Sequence, residues 1–295
     1  MANLKEVRLR ITSVSSTQQI TKAMKMVSAA KLRRAQNAIT QLRPYANKLR
    51  DILENLSSSL ESSDGGQFTV VRPAEKILII AVNSNRGLAG AFNATIIRSV
   101  NKLLADDYKT QYKAGNVKVL CIGKKASDFY SKNKSLYAGQ HNDVYANLKF
   151  EVVSEIAEKV MNDFAAGTYD RVIVVYNQFK NAVVQYVQNE QLLPLQPPAQ
   201  KEGQKKASKN DYIFEPGKQE IVLELIPKSI KTQLYKAVLD SHASEHGARM
   251  TSMSKATDNA GELIKALKLS YNKARQAAIT NEILEIVAGA EALNG

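Results

Sequence analysis

The sequence predicts an α/β protein in which two long helices, one at each end, pair as a coiled coil, antiparallel in the simplest arrangement, with a doubly wound α/β middle domain at one end of the pair. Three observations carry this: apolar residues at heptad spacing near both termini, three short apolar runs between them, and the punctuation. No glycine precedes Gly65, and Pro44 is the only proline before Pro73. Leu4, Val7, Ile11 and Val14 have the 3-4-3 spacing of a coiled-coil seam. The seam slips around Gln18 and Thr21, then resumes with Ala35, Leu42, Leu49 and Leu56, with Ile39, Ala46, Leu53 and Leu60 as alternating partners. A continuous helix over this span would be about 85 Å long. Pro44 lacks the donor for the bond one turn back and is placed to kink or interrupt it. At the other end Met253, Thr257, Ala260, Ile264, Leu267, Tyr271, Ala274 and Ala278 keep a 4-3 alternation. Small residues are frequent in both seams. The helices can therefore approach closely but bury modest apolar area, so such a rod needs partners.

Between the seams, Lys76–Val82, Val117–Ile122 and Arg171–Tyr176 are short apolar runs suited to buried parallel strands. Helical stretches follow over Ala91–Ala105 and Lys124–Tyr130, and another covers Val152–Ala166. Ala182–Val187 reads as a further strand at an antiparallel edge, and the Pro- and Lys-rich residues 193–220 as an exposed loop. The expected division is a helix over 1–60, an α/β domain over 61–227 and a second helix over 228–295.

Composition narrows the functional classes. The 295 residues are 44% hydrophobic and 23% charged, which is globular and not disordered. No apolar run approaches the roughly 20 residues needed to cross a bilayer. Cys121 is the only cysteine, which excludes a disulfide scaffold, and no signal-peptide pattern opens the chain, so an intracellular protein is expected. The net charge is +13, of which residues 1–60 carry +8, from 11 basic and 3 acidic residues. No acidic residue lies between Glu6 and Asp51, where ten basic ones occur. On a helix, Lys22, Lys25, Lys31, Arg33 and Arg34 spread round the axis and form no single stripe. That suits a partner surrounding the helix better than a flat nucleic-acid surface, although an ordinary solvated face has the same composition.

Catalytic motifs are thin. Asn83-Ser84-Asn85-Arg86-Gly87-Leu88-Ala89-Gly90 lies between a strand and a helix, where phosphate binds in such sheets, but it matches neither nucleotide fingerprint. It reads as a Gly-bearing turn. His242-Ala243-Ser244-Glu245-His246 matches the inverted zinc-protease pattern. Its only further histidine is His141, and it sits inside a predicted rod, so no metal site is expected. Cys121 lies in an apolar strand as a core residue, and the Met24/Met26 and Met250/Met253 pairs read as core or contact positions. The sequence thus predicts no catalytic residue and no cofactor.

The two ends bring a family into view. Arg10-Ile11-Thr12-Ser13-Val14 followed by TQQITKAMKMVSAAKLRR (Thr17–Arg34) resembles the N-terminal helix of the gamma subunits of F-type ATP synthases. SEHGARMTSMSKATDNAGELIKALKLSY (Ser244–Tyr271) and NKARQAAITNEILEIVAGAEAL (Asn272–Leu293) resemble their C-terminal helix. SNRGLAGAFN (Ser84–Asn93) resembles their central loop, with Asn85 and Ala89 where the family commonly has Asp and Cys.

The resemblance implies an antiparallel coiled coil with a Rossmann-like domain at its base. It implies a non-catalytic rotor shaft that couples proton flow through a membrane ring to ATP synthesis or hydrolysis on neighbouring subunits. Implied partners are the alpha and beta subunits of the head, the epsilon subunit and the membrane c-ring, with no nucleic acid. By position in the motifs, Met24 and Lys25 on the first helix, and Arg249, Gln276, Thr280 and Glu282 on the last, match coupling positions of the family. On this view Arg249→Glu leaves folding largely intact while uncoupling proton flow from synthesis. The mostly apolar tip Ala288–Leu293 suits a snug collar. The cysteine pair of chloroplast relatives is missing, so thiol control is not expected. The lack of a transit segment points to a bacterial protein, peripheral to the cytoplasmic face of the plasma (inner) membrane. Two alternatives from other classes are a basic coiled-coil protein binding nucleic acid, with steep salt dependence, and a zinc hydrolase centred on His242 and His246.

Overall fold

The computed structural model describes residues 4–57, 67–195 and 218–294. Helix α1 spans Leu4–Ser57 and continues through Pro44, and the last helix spans Lys218–Asn294 and continues through Pro227. At 54 residues, α1 extends about 80 Å. Two compact units emerge: Met1–Ala29 with Arg249–Gly295, and Ala30–Ala248. Of the predicted loop 193–220, Leu193 closes a strand and Lys218 opens the last helix, while residues 196–217 lie outside the described residues.

The larger unit is built on a five-stranded sheet of β1 (Ile77–Val82), β2 (Val117–Ile122), β3 (Tyr137–Gln140), β4 (Arg171–Phe179) and β5 (Gln185–Leu193), in the order β3-β2-β1-β4-β5. The first four run parallel, and β5 is antiparallel to β4. Between them lie α2 (Phe92–Ala105), α3 (Lys109–Lys113), α4 (Lys124–Tyr130) and α5 (Phe150–Ala165); the last helix is therefore α6.

Strand alternation splits the core in two. Leu78, Ile80 and Val82 of β1, with Val172, Val174 and Tyr176 of β4, pack against Val153, Ile156, Val160 and Phe164 of α5 and Ile230, Leu234 and Val238 of α6. Ile77, Ile79 and Ala81, on the opposite face, pack against Ile96, Val100 and Leu104 of α2 and Ala126 and Tyr130 of α4. Both faces are covered, which is why β1 is an unbroken apolar run. Gly123, with φ +108, lets β2 pass the end of β1; a Cβ there would fall 2.1 Å from the Asn83 carbonyl oxygen.

Two expectations shift. The edge strand expected over Ala182–Val187 instead runs Gln185–Leu193. The Asn181 side chain accepts the amide N–H groups of Val183 (2.9 Å) and Val184 (2.7 Å), turning those apolar residues into a loop tip. The short β3 and α3, absent from the sequence expectation, fill the connections after α4 and α2.

Candidate functional site

In a sheet of this order the ligand crevice lies beyond the carboxyl ends of β1 and β4, from which the chain winds away in opposite directions. Here α6 fills that place. The Ser241 hydroxyl donates to the Val82 carbonyl at 3.3 Å, and the Ser244 hydroxyl donates to the Asn177 carbonyl at 2.9 Å. Both serines are fully buried. The loop after β1 is likewise spent on structure: the Ser84 amide donates to Asn93 Oδ1 at 3.1 Å, and Asn85 Nδ2 donates to the Asn142 carbonyl at 2.7 Å. What would be a phosphate crevice is the seat of a helix.

The remaining motif residues behave as packing. His242 and His246 face each other, with Nε2 atoms 3.1 Å apart, and Tyr145 stacks on His242. Among the described residues no group of three or more His, Cys, Asp or Glu is placed to hold a metal. Cys121 is fully buried, and that burial pushes its thiol up to about 12, where it is unreactive.

Sequence reasoning missed a buried acid. Asp240 is 1% exposed on α6, with Arg43 Nη2 4.0 Å from Oδ1, a separation too long for a hydrogen bond. Burial pushes its carboxyl up to about 6; Glu190 adds to this, while Lys236, Arg43 and a backbone hydrogen bond at Phe179 oppose it. Glu190 in turn accepts the Tyr176 hydroxyl at 2.6 Å, and burial together with that acid raises the Tyr176 phenol. The available signal was an aspartate directly after the apolar run Ala237–Leu239.

The smaller unit is an antiparallel helix pair. Gln18 Nε2 donates to the Thr257 carbonyl at 3.4 Å, Thr257 Oγ1 lies 2.8 Å from Thr21 Oγ1, and Lys25 Nζ donates to Ser254 Oγ at 2.9 Å. As numbers rise along α1 they fall along α6. The supposed slip at Gln18 and Thr21 is therefore a continuation: both are half-buried on the seam and make polar contacts where an apolar pattern could not reveal them. On α6, Met253, Thr257, Ala260, Ile264, Leu267, Tyr271 and Ala274 all lie on the buried or half-buried stripe. Ala278 does not; it is exposed, and Ala277 takes its place. Beyond that point α6 has run past the start of α1, and Ile279, Ile283, Leu284, Ile286 and Val287 are 48–67% exposed.

The six candidate coupling residues are spread along this pair. Met24 is half-buried, and Lys25 is exposed and bonded to Ser254. Gln276, Thr280 and Glu282 are exposed, with the Thr280 hydroxyl donating back to the Gln276 carbonyl at 2.9 Å. Arg249 is 7% exposed. That burial corrects the expectation for Arg249→Glu, because a carboxylate there faces desolvation and the substitution perturbs the fold itself.

A family model described as ATP synthase matches residues 3–293. The ATP synthase gamma chain of Flavobacterium johnsoniae is 59% identical over 296 residues, covering 100% of both chains. The chain belongs to the ATP synthase gamma chain family. The gamma chain of Chlorobium phaeobacteroides, 46% identical over 295 residues and again covering 100% of both chains, extends this beyond near relatives. Among solved structures, a chain of the Euglena gracilis mitochondrial ATP synthase, described as OSCP/F1/c-ring, has the same fold, with a TM-score of 0.71, 23% identity and coverage of 98% of this chain and 94% of that one. A chain of the Tetrahymena thermophila mitochondrial ATP synthase central stalk and c-ring is 25% identical, with a TM-score of 0.60, covering 80% of this chain and 99% of that one. The gamma-chain fold thus accounts for both the helix pair and the sheet. The nucleic-acid-binding alternative finds no support among these relatives.

Proposed function

We propose that this gamma-family chain is the central rotor shaft of an F-type ATP synthase, coupling transmembrane proton flow and ring rotation to ATP synthesis or hydrolysis on neighbouring subunits. Its single strongest support is an apolar helix end left exposed among the described residues, in a protein aligned end to end with gamma chains. About a turn and a half beyond the pairing with α1, large aliphatic side chains stand in solvent, a cost that only an enclosing partner removes. The proposed partners are the alpha and beta subunits of the head around the helix pair, with the epsilon subunit and the c-ring. ATP is made and broken on the partners, and this chain acts by presenting different faces to different catalytic sites. Rotation then does work on their binding equilibria.

Met24, Lys25, Arg249, Gln276, Thr280 and Glu282 are the proposed coupling contacts. The proposed functional division remains 1–60 and 228–295 as shaft segments and 61–227 as the base. No helix among the described residues is long and apolar enough to cross a membrane, and the chain is proposed to sit peripherally on the cytoplasmic face of a bacterial inner membrane.

The test is gentle purification of the tagged chain at low expression from its own host. Copurification with several copies of two large nucleotide-binding subunits, with ATPase activity confined to that assembly, is the expected result. A chain isolated alone, or with nucleic acid whose binding falls steeply with salt, would overturn the proposal.

A further inference from the structure

We infer that Gln18, Thr21, Thr257 and Gly261 form a polar lock that prevents α1 and α6 from sliding along each other under load, and that these residues position the shaft for coupling. This rests on the rotor-shaft reading above.

The bond between Thr21 and Thr257 fixes which residues are level. Counting outwards in opposite directions, Val14 is level with Ile264, Ile11 with Leu267, Val7 with Tyr271 and Leu4 with Ala274. These positions repeat every heptad. Slid by one heptad, Ile11 meets Ala274 or Ala260 and Val14 meets Tyr271 or Thr257, so much of the seam still sets apolar against apolar. Hydrophobic contact is non-directional and specifies register weakly in a seam this thin.

The polar lock does not survive the same slide. In one direction Thr21 meets Met250 and Thr257 meets Val14, so both hydroxyls face apolar side chains and the polar contact between the helices is lost. In the other, Thr21 meets Ile264, and Thr257 meets Ser28, whose hydroxyl already donates to the Met24 carbonyl at 2.7 Å. A hydrogen bond crosses between the threonines when either hydroxyl gives its single proton to the other, across 2.8 Å. Thr21 Oγ1 also lies 3.0 Å from the Gln18 carbonyl, and Thr257 Oγ1 2.7 Å from the Met253 carbonyl, so the hydroxyl that accepts across the pair donates its own proton back to its own helix. Gly261 makes room for the third member: a Cβ there would come within 3.0 Å of Gln18 Nε2, the atom that donates to the Thr257 carbonyl. A buried polar group that fixes coiled-coil register is the best-attested use of such groups.

Torque on a two-helix shaft shears the helices against each other. The lock offers directional bonds against shear where the flanking seam offers only packing. The test is the Thr21→Val/Thr257→Val double variant in the whole complex in membrane vesicles. It removes both hydroxyls at nearly constant shape and leaves neither one stranded. The expected result is assembly and thermal unfolding as in the parent, ATP hydrolysis within about twofold, and protons pumped per ATP hydrolysed reduced by at least about fivefold. Thr21→Ser/Thr257→Ser, which restores the hydroxyls, should restore pumping. Unchanged pumping per ATP in the valine variant would overturn the lock. So would parallel loss of hydrolysis, pumping and thermal stability, which marks a merely structural role. If the parent complex itself shows no ATP-driven pumping requiring this chain, the rotor-shaft reading fails first, and the lock with it.

Discussion

The sheet unit and the helix-pair unit are built from similar residue types yet have very different interiors. In the sheet unit every residue of β1 is at most 2% exposed, and Phe164, Tyr176 and Leu234 are fully enclosed. In the helix pair, the apolar side chains that reach full burial among the described residues are Val7, Met253 and Ala260, at 6%, 5% and 9% exposure. Two helices have one seam each; a sheet covered on both faces has two complete interfaces. The larger unit thus holds its shape by its own core, whereas the smaller leaves most of its surface for other chains. This difference suits a base that must stay rigid and a shaft that is completed by its surroundings.

The comparison is broken most severely in the sheet unit. Phe164→Ala removes a fully buried ring that also receives the Arg72 guanidinium over its face at 5.1 Å. A loss of about 3–5 kcal/mol is expected in denaturant unfolding of the purified chain. Asp240 comes next. Its carboxyl is raised in the folded state from 3.8 to about 6, so the fold loses stability as pH rises through that window, when the unfolded chain releases a proton that the folded chain retains. The loss amounts to about 3 kcal/mol above the upper end. Asp240→Asn should unfold later than the parent at pH 8 and with little difference at pH 4, and an advantage appearing only at low pH would contradict this. In the helix pair, Val7→Ala is expected to cost only about 1 kcal/mol, since the seam around it is half open. Smallest is Ile283→Ser with Ile286→Ser. Both side chains are more than half exposed, so stability of the chain alone should stay within about 0.5 kcal/mol. ATPase coupling of the assembly should nevertheless fall, sharpening the contrast between a surface built for the chain and one built for its partners.

Sequence legibility followed the same divide. The buried strands announced themselves as apolar runs: Val117–Ile122 and the helix Lys124–Tyr130 were read to the residue. The strand β5, QYVQNEQLL, was misplaced because it is largely polar and because the apolar Val183 and Val184 before it are pulled into a turn by Asn181. β3, four residues alternating between half-buried and exposed, gives no pattern long enough to count. In the helix pair, apolar periodicity located the seam but failed at Gln18 and Thr21, where hydrogen bonds replace packing. Asp240 was overlooked because a single acid in a helix normally marks its solvated face, and only the fold shows this one turned inward.

Rotation of this chain within the assembled head tests the central claim most directly. Cys121 is buried and its thiol is pushed up to about 12, so a cysteine introduced at the exposed Lys132 becomes the reactive thiol of this chain and can carry an optical probe. With the head fixed to a surface and ATP supplied, the account predicts continuous rotation of the probe in one direction that stops when ATP is exhausted. Sustained ATP hydrolysis with a stationary probe would contradict it.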